Sequence, residues 1–212
     1  SSFGDFNGEL GDMRVEVKVD KEAGTLTVSD HGIGMTAEDI DKYINQIAFS
    51  GAEEFLEKYK DKTTEDDMIG HFGLGFYSAF MVADEVHIDS LSYKEGAAPV
   101  HWVSDGGTEY EMQEGDRAEV GSTMTLYLND DSIEFANEYR MREVIEKYCS
   151  FMPVEIFLEN ENAEPSDEEK EPESLSDIHP LWTKHPNECS EEEYKEFYRK
   201  VFLDYKEPLF WI

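Results

Sequence analysis

The chain has 212 residues, 39% of them apolar and 13% aromatic, enough for one well-buried domain with an appendage or for two small domains, which excludes wholesale disorder. Its 50 Asp and Glu against 18 Lys and Arg give a formal charge of −32, a field that repels nucleic acid and anionic membrane surfaces, so neither is an expected partner. A phosphate-bearing ligand would have to be held locally, by backbone N–H groups, a metal ion or a few placed side chains.

Met13, Val15, Val17 and Val19 alternate with polar residues, and a second alternation over Thr25 to Ser29 follows the turn Glu22-Ala23-Gly24, so the spacing predicts a β-hairpin. Thr36 stands three residues before Asp39 and ahead of Ile40, Tyr43, Ile44 and Ile47, a capping-box start to an amphipathic helix. Ser50 and Glu53 repeat the device. A charged connector from Lys58 to Asp67 leads to Gly70-His71-Phe72-Gly73-Leu74-Gly75 and an apolar helix, Phe76 to Val82. Strands are predicted over Glu85 to Ser90, Val100 to Ser104, Glu109 to Gln113 and Ser122 to Leu128. A helix is predicted over Ile133 to Tyr148, with Phe135, Tyr139, Val144, Ile145 and Tyr148 on one face, and a closing strand over Pro153 to Leu158. Residues 159–177 are acidic, interrupted by Pro165 and Pro172, and read as a disordered linker. A last helix begins at the Ser190/Glu193 cap. A sheet with helices on one side results.

Cys149 and Cys189 lie far apart without CxxC or CxxH context, so no disulfide framework or zinc site is expected and the reducing cytoplasm is the fitting compartment. No apolar run approaches the roughly 20 residues that span a bilayer, and the first residues lack the basic start and apolar core of a signal peptide.

Three segments carry chemistry. Asp30-His31-Gly32-Ile33-Gly34-Met35 ends a strand; its carboxylate can accept from an exocyclic amine such as that of adenine, and its glycines let the backbone approach a flat ring. Alone it reads rather as an Asp-Gly turn joining strand to helix. Gly70 to Gly75 lead into a helix whose free N–H groups form an anion site, although a flexible loop entering a core helix fits the same residues. Gly121-Ser122-Thr123-Met124 alone is an ordinary strand. His31 and His71 sit inside these motifs, but neither has a carboxylate or cysteine at ligand spacing, so no metal or catalytic role is expected of them.

In this order the segments resemble the nucleotide boxes and closing strand of the ATPases that include gyrase B, MutL, histidine kinases and Hsp90. Within that group, Tyr43-Ile44-Asn45-Gln46-Ile47-Ala48-Phe49-Ser50-Gly51 and Ile69 to Asp84 are similar to the Hsp90 patterns IAxSG and GQFGVGFYSxFxVAD. Pro180-Leu181-Trp182-Thr183-Lys184 resembles the start of the Hsp90 middle domain, and the likeness points to the bacterial HtpG branch.

The resemblance implies an α+β two-layer sandwich of the Bergerat type, lacking its N-terminal strand and helices. It implies a nucleotide-binding domain over 1–158 with a lid at about 50–75, an acidic linker over 159–177, and the beginning of a middle domain over 178–212. ATP or ADP is the implied ligand, with Mg²⁺ in the complete protein. Asp30 would take the adenine amine, with Gly34 and Met35 lining the base pocket and Tyr43 and Ile44 beside it. Gly73, Leu74, Gly75 and Phe76 would give N–H groups to the phosphates, and Ser122 a hydroxyl where the family has Thr. Tyr43 takes the place of the family's lid-side asparagine, near Asn45, and Phe49 that of a lysine.

The family's ExxxNxxDA helix, with its general-base Glu and Mg²⁺-binding Asn, has no counterpart: Glu9 is followed four residues later by Met13. The sequence therefore reads as cut at both ends, without hydrolysis of its own, and no catalytic or metal residue is assigned. The implied partners are unfolded client proteins and, through regions outside the chain, a second copy. The alternatives are the nucleotide module of a sensor kinase or type II topoisomerase, and a non-catalytic interaction module.

Overall fold

The computed structural model describes residues 13–45, 76, 78–107, 109–163, 174–177 and 190–202. The predicted hairpin forms from β1 (Arg14–Asp20) and β2 (Thr25–Asp30), and its turn is fixed by the Asp20 carboxylate, which accepts the Glu22 and Ala23 N–H groups. Five further strands follow: β3 (Ala83–Leu91), β4 (Val100–Ser104), β5 (Tyr110–Glu114), β6 (Gly121–Leu128) and β7 (Glu155–Asn160). They form one sheet in the order β5-β4-β3-β6-β2-β1-β7, antiparallel throughout except for the parallel pair β1 and β7.

The register explains why these segments pair. One row across the whole sheet, Leu158–Val17–Val28–Met124–Ile88–Trp102–Met112, is apolar in every strand. The next row on the opposite face, Phe157–Glu16–Ser29–Thr123–Asp89–His101–Gln113, is almost wholly polar. A slip of one residue in any strand would exchange the two faces, so burial of the apolar row fixes the pairing.

Helical segments cover the apolar face. α1 (Ala37–Ile40) starts on the expected capping box: the Thr36 hydroxyl accepts the Asp39 N–H and the Asp39 carboxylate accepts that of Thr36. Burial pushes the Asp39 carboxyl up, but hydrogen bonds from Thr36 and Lys94 outweigh it and hold it below its ordinary value. A π-helical turn, Asp41–Asn45, continues α1. With α2 (Ala79–Val82) it covers a cluster built on Ile40, Val86, Ile88, Trp102 and Leu126. A second cluster forms where α3 (Glu138–Tyr148) lays Met141 and Ile145 on Val17, Val19 and Ile156. Leu26 packs against both.

The single helix expected over 133–148 is two pieces, a 3₁₀ segment Asp130–Ala136 and α3. Asn137 divides them, its side-chain oxygen capping α3 by accepting the Tyr139 and Arg140 N–H groups at 3.0 and 3.2 Å. This cap sets the helix phase on Met141 and Ile145, so Tyr139 and Tyr148, expected on the inner face, are exposed. Both ends of the expected linker carry structure: β7 runs to Asn160, and Leu175 packs on the second cluster while its N–H donates to Ile156 O at 2.8 Å. α4 (Glu191–Phe202) begins on the predicted Ser190/Glu193 box, and Phe197 meets Phe151 at 5.7 Å. Cys149 is a free, half-buried thiol whose pKa burial pushes up. The Ser50/Glu53 cap, the lid, Cys189 and the Pro180–Lys184 segment lie outside the described residues.

The π turn brings Asn45, 2% exposed, under Trp102, also 2% exposed. The indole Nε1 donates to Asn45 Oδ1 at 2.9 Å, and Asn45 Nδ2 donates to Asp41 Oδ1 at 3.1 Å. Asn45→Ala strands a buried donor, and urea titration should show stability lowered by about 1–3 kcal/mol.

Candidate functional site

The row that follows the all-apolar one on the inner face runs Ile156–Val15–Asp30–Ser122–Ser90–Val100, so three polar residues from β2, β6 and β3 stand side by side. They are satisfied locally. Ser90, fully buried, shares a hydrogen bond with Ser122 Oγ at 2.9 Å, reaches Gly121 O at 3.2 Å and accepts the Met35 N–H at 2.8 Å. Asp30 Oδ1 accepts the Gly32 N–H at 2.7 Å, and among the described residues Oδ2 accepts nothing. A carboxylate oriented by one donor keeps acceptor capacity for a ligand.

Beyond Asp30 the chain leaves the sheet and is stitched to the end of β3, where the Tyr93 N–H donates to Ile33 O at 2.9 Å. Gly34 makes this close approach possible. Its φ is +61°, and a Cβ there would lie 1.9 Å from Leu91 O.

Over this corner lies a cavity of about 550 Å³, set between the two core clusters. Val28, Ile88, Ser122 and Met124 form its floor beside Asp30. Residues 31–35, Ile44 and Phe76 also line it, as do Met13, Val15 and Val154. Phe76 is held by edge contacts to Phe80 and Trp102, each at 5.8 Å between ring centres. Arg14 also contributes to the lining, its guanidinium paired with Glu16 at 2.9 Å. An apolar slot with one carboxylate suits a flat heteroaromatic ring carrying an amine.

Of the residues expected from sequence, Asp30, Gly34, Met35, Ile44, Phe76 and Ser122 all line this cavity. Tyr43 does not: it is 53% exposed, with Lys42 Nζ 4.9 Å above its ring. Gly73, Leu74 and Gly75 lie outside the described residues. His31 lines the cavity with Nε2 3.8 Å from Glu16 Oε2, and no group of three potential metal ligands occurs among the described residues. Sequence reasoning missed Ser90 and the floor residues Val28 and Ile88. Strand alternation alone could have put Val28 and Ile88 on the inner face, whereas nothing but the register joins Ser90 to Ser122.

Comparison with known proteins agrees with this geometry. The model for histidine kinase-, DNA gyrase B-, and HSP90-like ATPases matches residues 11–111, a span containing every described cavity-lining residue except Ser122, Met124 and Val154. The Hsp90 protein model matches residues 166–212. The chain is 50% identical to the chaperone protein HtpG of Bacteroides thetaiotaomicron, 51% to that of Bacteroides fragilis and 46% to that of Porphyromonas gingivalis. All of this chain is covered in each case, and it spans 31% of each relative's length. The sheet with its helical layer has the fold of that ATPase group, and with whole-chain identity of this order the chain belongs to the Hsp90 family, on its HtpG branch.

Proposed function

We propose that the chain is the nucleotide-binding module of a chaperone of this family, taking ATP or ADP with the adenine in the cavity described above. The observation that carries the reading is Asp30: a carboxylate lining an apolar slot, with an oxygen that accepts nothing among the described residues, where an exocyclic amine gains a charged acceptor. Met35, Ile44, Phe76 and Met124 would enclose the ring, and Ser122 would add a hydroxyl beside Asp30. The phosphates would meet the Gly73–Phe76 backbone, in keeping with an acidic chain that has few cations to offer them. Mg²⁺ would accompany the nucleotide, and none of the residues discussed is assigned to hold it or to act as a catalytic base.

The domain plan follows from the same reading. Residues 1–158 form the nucleotide domain, with a lid at about 50–75, and 178–212 begin the next domain after an acidic linker at 159–177. The two family models, which match on either side of residues 112–165, support this division. In the whole protein, nucleotide would drive lid closure and the rearrangement of the domains that follow, acting on partly folded client proteins as a homodimer in the cytoplasm. No helix among the described residues is long and apolar enough to cross a membrane.

Calorimetry with ADP tests the pocket. Asp30→Asn exchanges a charged hydrogen bond for a neutral one and should weaken binding by about 1.5–3 kcal/mol, roughly 10- to 100-fold in Kd; unchanged affinity would refute the assignment. Gly34→Ala forces a Cβ into Leu91 O, and we expect ADP binding to fall at least about tenfold together with a lower Tm, measured by calorimetry and thermal melting.

A further inference from the structure

On the opposite face of the sheet from the cavity, the β5–β6 connection runs across the end of β2. Arg117 is its one strongly polar residue that is tucked in; Asp116, Ala118, Glu119 and Val120 around it are exposed. Its guanidinium makes three hydrogen bonds, all to neutral oxygens: Nε to Glu119 O at 2.9 Å, Nη1 to Thr123 Oγ1 at 2.5 Å and Nη2 to Asp30 O at 3.2 Å. Thr123 Oγ1 is in turn 2.9 Å from Ser29 Oγ. The fork therefore ties the end of β2 to the start of β6, holding the main chain of Asp30 directly and reaching Ser29 through Thr123.

Gly121 shows that the clasp is built into the backbone. Its φ is +130°, and a Cβ at this position would lie 2.2 Å from Asp30 O and 3.0 Å from Arg117 Nη2. Only glycine lets the connection pass close enough for the guanidinium to reach β2. The planar fork matters because its donors sit on three separate nitrogens, one facing each oxygen, whereas a lysine ammonium gathers all its donors on one atom.

We propose that Arg117 is a positioning residue for nucleotide recognition, fixing from behind the sheet where the Asp30 carboxylate stands on its front. Asp30 is the last paired residue of β2, opposite Val15 on one side and Ser122 on the other, and the chain turns away immediately after it, so no further ladder holds it from beyond. With the carbonyl clasped by Arg117 and the carboxylate held by Gly32 N–H, the free oxygen has one direction. Without the clasp the strand end frays and the oxygen loses its aim at the base.

This inference rests on the adenine reading of the cavity, and the test separates the two. ADP and inosine diphosphate, which carries a carbonyl in place of the adenine amine, are titrated calorimetrically into the parent protein and into Asp30→Asn, Arg117→Ala, Arg117→Lys and Thr123→Val variants. The parent should prefer ADP. Arg117→Ala and Arg117→Lys should each cut that preference at least fivefold, Thr123→Val should cut it in the same direction, and inosine diphosphate binding should change less than twofold. In the Asp30→Asn background, Arg117→Ala should change ADP affinity less than twofold. A parent-like preference in both Arg117 variants, with preference lost in Asp30→Asn, would overturn the role of Arg117 alone. An equal fall for both nucleotides would reduce it to a structural contact and also overturn the proposal. A preference unaffected by Asp30→Asn would overturn the adenine reading and this inference with it. If Arg117→Ala does not fold, Arg117→Lys and Thr123→Val decide the question on the same ratio.

Discussion

The carboxylate of Asp30 stands on the inner face of the sheet, one row from the residues that build an all-apolar stripe across seven strands. Burying polar groups there without partners would cost about 1–3 kcal/mol each. Much of the local structure answers that cost. Ser122 and Ser90 extend the polar row over two further strands and satisfy each other, Gly121 O and the Met35 N–H. Gly32 donates to the carboxylate, and the loop it belongs to can return to β3 only because Gly34 has no side chain. The motif that reads as an Asp-Gly turn is thus a turn, and the turn is what aims the acid.

A cavity beside that acid requires that the core not close over it. The sheet face is covered from two sides, by α1, the π turn and α2 at one end and by α3 at the other, and Leu26 touches both clusters. The gap between them is the cavity. Its helical wall is firm because Trp102 holds Asn45 by its indole N–H while its ring edge meets Phe76, so Ile44 and Phe76 are both anchored to β4. Cavity lining and core share the same side chains at this point, which ties the shape of the slot to the stability of the domain.

The strands are legible because alternation marks them, and the hairpin, the two capping boxes within the described residues and all seven strands lie within two residues of where the sequence places them. What alternation cannot supply is register. Asp30, Ser122 and Ser90 are distant in sequence and meet only because burial of the apolar row selects one pairing, so a lone serine in β3 gave no sign of its part. Residues 133–148 read as one helix because apolar spacing persists through Asn137; the asparagine's capping chemistry was available in the sequence and outweighs that spacing. Tyr43 was placed at the site by resemblance alone, and the switch from α to π geometry after Ile40, which no local pattern announces, buries Asn45 and leaves Tyr43 outside.

Charge divides the site's labour. With a formal charge of −32, the chain can offer a polyphosphate little help at long range, and the Arg that lines the cavity is already paired with Glu16. On the proposed nucleotide reading, recognition would rest on what works at contact distance: apolar enclosure of a ring, one acid for its amine, and backbone donors for its phosphates. The same acidity bears on Arg117. In a field so negative a guanidinium would be expected among carboxylates, yet the three hydrogen bonds of Arg117 go to a hydroxyl and two carbonyls, one of them that of Asp30.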